Sequence, residues 1–162
     1  MKFENLKPHI LQLLNNKNTA ILSRLNEVCE LMQTSLPNYD WVGFYFANHK
    51  EKTLHLKAFA GEPTDHTVIP FGRGICGQVA VSNENFVVPD VSAQDNYISC
   101  GMAVKSEIVI PLFVNNINVG QIDIDSHILN AFDSKDEEFL EWINNEVSKQ
   151  VTLNFKNQVE FL

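Results

Sequence analysis

The chain contains no block of Lys or Arg, no apolar run of membrane-spanning length and only three cysteines. Lys and Arg number 12 against 20 Asp and Glu, so the formal net charge is −8. A chain without a basic patch is a poor match for nucleic acid or for an anionic membrane surface. The absence of a long apolar run argues against a transmembrane helix. We therefore expect neither nucleic acid nor a membrane as a partner.

The number of cysteines indicates the cellular compartment in which the protein is expected. Three is an odd number, which fits poorly with the disulfide framework of a secreted protein. The first five residues lack the apolar segment of a secretion signal. We therefore expect a cytoplasmic protein, in which a disulfide would be transient and catalytic rather than structural.

Size and patterning predict the architecture. A chain of 162 residues with 44% apolar residues is most simply one domain, residues 1–162. We divide it into a helical N-terminus (1–36), a core (41–126) and a C-terminal helix (134–157). The patterns predict an α+β domain with about six mostly antiparallel strands. The N- and C-terminal helices are expected on one face of the sheet and a ligand pocket on the other.

The first strand has two different faces. Strands are predicted for residues 41–47, 53–60, 68–70, 86–88, 106–114 and 119–126, and a short helix for residues 75–81. Alternation gives the first strand one all-apolar face, which we expect to meet the helices: Val42, Phe44 and Phe46. The opposite face presents Trp41 and Tyr45 on either side of a glycine. That glycine leaves room for a small ligand, although ordinary core packing explains the pattern equally well.

Acidic residues interrupt the last predicted strands. Asp123 and Asp125 share one strand face, and Glu107 could reach the same region from the neighbouring strand. Buried carboxylates are costly unless they are solvated or bound to something. His49 and His55 have no ligand-like spacing to other ligand residues, so no metal and no cofactor is expected.

The cysteines have different surroundings. Cys29 lies beside Val28 in an apolar helical stripe and is interpreted as a small buried hydrophobic residue. Cys76 falls in the first turn of the short helix, where the helix dipole lowers a thiol's pKa. Cys100 follows an irregular segment and precedes Gly101. Thiols beside partly buried carboxylates indicate redox chemistry on a small polar substrate.

Several segments together carry a family resemblance. They are, in chain order, Trp41-Val42-Gly43-Phe44-Tyr45, Ile69-Pro70-Phe71-Gly72-Arg73-Gly74-Ile75-Cys76-Gly77, Pro89-Asp90-Val91, Ile98-Ser99-Cys100, Ser106-Glu107-Ile108-Val109-Ile110-Pro111-Leu112 and Ile122-Asp123-Ile124-Asp125-Ser126. In this order the chain resembles the free methionine-(R)-sulfoxide reductases, which are single GAF domains, over roughly residues 41–147. The resemblance implies a GAF-like fold and thiol-dependent reduction of free L-methionine-(R)-sulfoxide.

The resemblance also assigns roles to the cysteines. It places Cys100 where the family has its sulfoxide-attacking cysteine, and Cys76 where the family has a second redox cysteine. Attack would leave a sulfenic acid on Cys100, and Cys76 could condense with it to a disulfide. A thioredoxin-type dithiol is the implied reductant.

The remaining implied roles concern substrate binding. Glu107, Asp123 and Asp125 match the acidic residues that hold the substrate's amino group and sulfoxide oxygen. Repulsion between the two aspartates would raise one pKa, as the oxygen-side acid requires. Trp41 and Tyr45 match the aromatic residues that pack around the substrate's methyl end.

The chain departs from the family pattern in two places. The family usually carries another cysteine just before the Ile-Pro of the glycine loop, and residues 64–70 contain none. Gly101 replaces the aspartate that normally follows the attacking cysteine. Three readings remain open: Cys76 resolves the sulfenic acid, an external thiol does so, or the activity is lost.

The last reading makes the chain a non-catalytic, sensor-type GAF domain that binds a small ligand. Against it, we see no output segment beside the domain. A homodimer through the amphipathic terminal helices is a further possibility.

Overall fold

The computed structural model describes residues 2–97 and 103–161. Its elements are α1 (Lys2–Leu14), α2 (Ile21–Ser35), β1 (Trp41–Asn48), β2 (Thr53–Ala60), β3 (Val68–Pro70), α3 (Gly74–Ser82), β4 (Phe86–Val88), a 3-10 turn (Val91–Ala93), β5 (Ser106–Val114), β6 (Ile117–Ser126), α4 (Ser134–Ser148), β7 (Thr152–Leu153) and β8 (Val159–Glu160). Among the described residues, no helix has the length and apolarity that crossing a bilayer requires.

Six strands form one sheet. Its order is β3-β2-β1-β6-β5-β4, with every neighbouring pair antiparallel. Strands β7 and β8 form a separate two-stranded ribbon. This sheet confirms the predicted α+β class and the six-stranded antiparallel core.

The larger core lies between the sheet and the terminal helices. Val42, Phe44 and Phe46 belong to this core, together with buried residues of α1, α2 and α4. The face predicted for them from alternation is therefore confirmed. Cys29 is also in this core and is fully buried, which confirms its interpretation as a small hydrophobic residue.

A smaller core covers the opposite face of the sheet. Helix α3 packs there against β5 and β6. Trp41, Tyr45, Ile75, Cys76 and Val109 belong to this cluster. Of the functional candidates, Trp41, Tyr45 and Cys76 therefore lie in the smaller core, on the face predicted to hold the pocket.

The hairpin between β5 and β6 is tighter than predicted. Asn115 and Asn116 form its turn, with φ values of 51° and 63°, and β6 begins at Ile117 rather than at residue 119. Two successive positive φ values match the twist of adjoining strands, and asparagine tolerates them better than most residues.

The C-terminal helix is shorter than predicted. Helix α4 ends at Ser148 rather than at residue 157, and the chain continues into β7 and β8. The Asn154 side chain accepts backbone N–H groups of Lys156 and Gln158, and such local bonds compete with helix.

The start of α4 also differs from the prediction, which placed the capping box on residues 134–137. The N-cap is Asp133, whose carboxylate accepts the N–H groups of Lys135 and Asp136. Asp136 completes the box by accepting the N–H of Asp133.

Candidate functional site

Three carboxylates converge on the pocket face of the sheet. Strand β6 carries Asp123 and Asp125, which are 2% and 3% exposed, and β5 carries Glu107, which is 5% exposed. Glu107 lies directly opposite Asp125 in the β5–β6 ladder, so their side chains leave the sheet on the same side. The predicted acidic cluster therefore exists, and it is buried rather than solvated.

Helix α3 brings a thiol onto this cluster. Cys76 lies in the first turn of the helix, as predicted. Its Sγ donates to Oδ2 of Asp123 at 3.2 Å and lies 3.8 Å from Oε1 of Glu107. The two acceptors come from different strands, so the thiol sits where β5 and β6 meet the helix.

The predicted direction of the Cys76 pKa is wrong. Burial, followed by the charges of Asp123 and Glu107, raises the pKa of the Cys76 thiol well above its ordinary value. The helix dipole acts as about half a unit charge, whereas loss of hydration and nearby carboxylates both oppose the thiolate. Cys76 is therefore held as a thiol in this arrangement.

Burial raises the pKa values of both aspartates on β6. Burial raises the pKa of Asp123 to about 6, although hydrogen bonds with Glu107 and Cys76 oppose the increase. Burial, and then the charge of Asp123, raises the pKa of Asp125 well above its ordinary value. The Oδ1 atoms of both residues have no hydrogen-bond partner among the described residues. The expected repulsion operates, but burial is the larger cause, and one carboxyl can stay protonated near neutral pH.

Of the two aromatic candidates on β1, Tyr45 lines the cavity of the site, whereas Trp41 does not. Tyr45 donates its hydroxyl to the carbonyl of His66 at 2.8 Å, and Trp41 donates Nε1 to the carbonyl of Glu62 at 3.0 Å. The room expected beside the glycine is not free, because a Cβ at Gly43 would collide with Cη2 of Trp41. The indole itself fills the space over Gly43.

The enclosed part of the site is small. A cavity of about 20 Å³ is lined by Tyr45, His66, Ile69, Arg73, Gly74, Ile75, Cys76, Tyr97, Glu107 and Asp123. This volume suits roughly one water molecule. The enclosed space is therefore smaller than a ligand the size of an amino acid.

Sequence reasoning missed a side chain that joins two of these loops. Asn96 accepts the N–H of Gly74 at 3.2 Å and donates to the carbonyl of Gly72 at 2.8 Å. It thereby links the turn before Cys76 to the segment that leads to Cys100. His66, Arg73 and Tyr97 were not singled out either, since isolated residues on irregular segments carry no periodic signal.

Cys100 lies outside the described residues, which stop at Tyr97 and resume at residue 103. The disulfide between Cys76 and Cys100 that the family resemblance implies therefore remains a prediction. Tyr97, the last residue before this gap, does line the cavity.

Comparisons with known proteins place this site in a family. The GAF domain family model matches residues 19–151. GAF domain-containing protein A of Dictyostelium discoideum is 39% identical over 139 residues, covering 86% of this chain and 85% of that protein. The free methionine-R-sulfoxide reductase of Escherichia coli (strain K12) is 37% identical over 122 residues, covering 75% of this chain and 72% of that protein.

A solved structure is similar to this chain in its tertiary structure. The free methionine-R-sulfoxide reductase of Neisseria meningitidis, in complex with its substrate, superposes with a TM-score of 0.85 at 31% identity. The superposition covers 91% of this chain and 87% of that chain. By its motifs, its fold and these relatives, this chain belongs to the GAF domain family and, within it, to the free methionine-R-sulfoxide reductases.

Proposed function

We propose that this protein reduces free L-methionine-(R)-sulfoxide to methionine at the expense of a thiol reductant. One observation carries the proposal: the contact of the Cys76 thiol with two buried carboxylates, Asp123 and Glu107, on the pocket face of the sheet. Homology to reductases that carry this name supports the same activity.

The acidic cluster accounts for a preference for the free amino acid. Glu107 and the ionised member of the Asp123–Asp125 pair can bind an α-ammonium group, which a methionine sulfoxide inside a peptide lacks. Trp41 and Tyr45, on the same face of β1, would contact the methyl end of the substrate. Because the enclosed cavity is small, substrate binding is expected to move the segment that contains Tyr97.

The proposed chemistry begins at Cys100. Its thiolate attacks the sulfoxide sulfur while a protonated carboxyl of the Asp123–Asp125 pair donates a proton to the departing oxygen. The protonated oxygen is transferred from the substrate sulfur to the Cys100 sulfur as the bond between the two sulfurs breaks, so methionine leaves and Cys100 is oxidised to a sulfenic acid. The raised pKa of Asp123, about 6, leaves a useful fraction of acid near neutral pH.

Cys76 is the proposed resolving residue. Its sulfur attacks the sulfenic sulfur, a disulfide forms and the hydroxyl leaves as water. The Cys76 proton can pass to Oδ2 of Asp123, which is 3.2 Å from Sγ. Disulfide formation requires the two Cα atoms to approach within about 7 Å. A thioredoxin-type dithiol then restores both thiols.

A second candidate function has its own support. The cysteine that the family usually carries within the segment matching residues 64–70 is absent here. The chain would then be a GAF domain that binds a small ligand without turning it over. We favour the reductase because a binding module has no need for a thiol among buried carboxylates.

Three further assignments accompany the reductase. We propose a cytoplasmic location, a homodimer that buries part of the terminal helices, and a thioredoxin-type partner. Static light scattering tests the dimer, and cell fractionation tests the location. Turnover with thioredoxin and its reductase, compared with dithiothreitol, tests the partner.

The decisive experiment is an assay against the R and S epimers of free and peptide-bound methionine sulfoxide. We expect turnover of the free R epimer alone. The Cys29→Ser variant is the control and should retain activity, because Cys29 lies in the core on the other face of the sheet. Binding of the R epimer without any turnover, even with abundant dithiothreitol, would favour the ligand-binding module.

A further inference from the structure

The thiol and two of the carboxylates are spaced like metal ligands. One oxygen each of Glu107 and Asp123 and the Sγ of Cys76 all lie within 4.8 Å of one another. Zinc binds thiolate sulfur at about 2.3 Å and carboxylate oxygen at about 2.0–2.2 Å, so tetrahedral geometry separates these ligand atoms by about 3.6 Å. The observed sulfur–oxygen distances of 3.2 and 3.8 Å bracket that value.

Two features besides the cluster point to a bound cation. Oδ1 of Asp125, a residue only 3% exposed, has no hydrogen-bond partner among the described residues. Asp125 lies directly opposite Glu107 in the β5–β6 ladder, on the same side of the sheet. The cavity beside the three donors, about 20 Å³, has room for a water molecule as a fourth ligand.

We propose that Cys76, Glu107 and Asp123 form a site for a zinc-like divalent cation that competes with the substrate. On binding, the Cys76 thiol releases its proton to solvent and a metal–sulfur bond forms, with no change of oxidation state. The thiolate selects Zn²⁺ and its thiophilic analogues over Mg²⁺ and Ca²⁺, which prefer larger sets of oxygen ligands.

The metal ion and the substrate would compete because they use the same side chains. Glu107 and Asp123, which would hold the metal, both belong to the acidic cluster that would bind the substrate's α-ammonium and sulfoxide oxygen. The bound metal would also remove the Cys76 thiol from disulfide formation. Metal binding rests on the geometry alone, whereas competition with methionine sulfoxide rests on the proposed function. Free zinc would then reversibly inhibit the reductase.

The test uses a protein with Cys76 as its only thiol. The chain has three cysteines, so the Cys29→Ser/Cys100→Ser protein isolates Cys76. Titration with Cd²⁺ should produce the ultraviolet charge-transfer band of a cadmium–thiolate bond and saturate at one ion per chain. Zn²⁺ should abolish that band by displacement, and Mg²⁺ should leave it unchanged. Calorimetry with Zn²⁺ gives the affinity.

The matched control is the Cys76→Ser/Cys100→Ser protein, which retains only Cys29 and should give no band. Glu107→Gln and Asp123→Asn, added separately to the Cys76-only protein, should each weaken binding at least about tenfold, since even outer-shell losses cost that much. Either variant suffices if circular dichroism shows that the other misfolds. A band that persists without Cys76, or the absence of metal binding to the folded Cys76-only protein, would overturn the site.

Displacement of bound Cd²⁺ by the substrate tests the metal site and the proposed function separately. Free methionine-(R)-sulfoxide should displace Cd²⁺ from the Cys76-only protein, whereas the N-acetylated compound, which lacks the ammonium group, should not. Bound metal that the free sulfoxide fails to displace would leave the metal site intact and contradict the placement of the α-ammonium on these carboxylates.

Discussion

Asp123 is a buried carboxyl whose burial disfavours its charged form. Its carboxyl is 2% exposed and lies next to a second buried aspartate. Groups of this kind persist because a ligand or a reaction uses them, since an isolated buried charge is costly. The dependence of the free energy of unfolding on pH therefore tests the protonation of Asp123.

The Asp123→Asn substitution should stabilise the protein above neutral pH. Because the pKa rises from 3.8 to about 6 on folding, the folded protein retains a proton that the unfolded chain releases, and stability falls as pH rises through about 6. Asparagine removes this titration. We expect the free energy of unfolding at about pH 8 to increase by roughly 1–3 kcal/mol, with little difference near pH 4.

Urea denaturation at both pH values measures this effect. Glu138→Gln is the control, because Glu138 is exposed on α4 and its loss should change neither value. Lower stability of Asp123→Asn at pH 8 would mean that the carboxylate makes favourable contacts that outweigh its burial. Loss of substrate binding in the stabilised variant would demonstrate the trade-off.

Substitutions of Cys76 and Cys100 should have different effects in two activity assays. Cys76 is held as a thiol by burial and by its carboxylate neighbours, which suits a resolving residue better than an attacking one. We expect Cys100→Ser to abolish reduction of free L-methionine-(R)-sulfoxide with dithiothreitol, and Cys76→Ser to impair mainly thioredoxin-dependent turnover. Equal loss in both assays for Cys76→Ser would indicate that the roles are reversed.

At the level of elements, helix α3 is capped by a distant loop. The residue at its N-cap, Arg73, makes no side-chain cap bond. The carboxamide of Asn96 instead accepts the first helical N–H, that of Gly74, and also holds the carbonyl of Gly72. The cap therefore ties the position of Cys76 to that of the segment before Cys100.

Asn96→Ala should impair turnover more than folding. Loss of a cap costs about 1 kcal/mol, whereas a small displacement of reacting groups can cost up to about 100-fold in rate. We expect kcat to fall roughly 10- to 100-fold with a smaller change in KM. Steady-state kinetics and thermal denaturation measure the two effects.

Two further variants sharpen this test. Asn96→Asp keeps the acceptor for Gly74 and loses the donor to Gly72, so it should restore stability and only part of kcat. Asn16→Ala, at an exposed asparagine after α1 that bonds only Asn18 and Thr19 among the described side-chain hydrogen bonds, should leave kcat unchanged. If kcat of Asn96→Ala equals that of the wild type, the link has no role in catalysis.

At the level of the whole molecule, one sheet separates two cores with different tasks. The larger core joins the sheet to α1, α2 and α4, and the smaller one contains Trp41, Tyr45 and Cys76. Substitutions on the two faces should therefore differ in what they affect, even when they remove the same atoms.

Val109→Ala and Val119→Ala provide that comparison. Val109 is fully buried in the smaller core and pairs with Asp123 in the ladder, whereas Val119 is buried in the larger core. Both substitutions leave a cavity and should destabilise by roughly 1–3 kcal/mol. Only Val109→Ala should also change kcat/KM by more than about threefold.

Chemical denaturation and kinetics well below the melting temperature measure both effects. An equal loss of kcat/KM in the two variants would show that the faces are not functionally separate. The comparison is matched because the same two methyl groups are deleted in each variant.

Local patterns in the sequence determined which face each residue would take. Alternation alone placed Val42, Phe44 and Phe46 toward the helices and put Asp123 and Asp125 on one side of β6, because the strand period is two. The family resemblance added the roles of the cysteines, and the position of Cys100 still rests on it.

Tertiary structure decided the environments. Cys76 meets Glu107 and Asp123, 31 and 47 residues away along the chain, and these contacts reversed the pKa expected from its helical position. Asn96 caps a helix from a loop 22 residues distant, and the indole of Trp41 fills the space over Gly43. Periodicity reports on neighbours along the chain, whereas burial and charge depend on residues that only folding brings together.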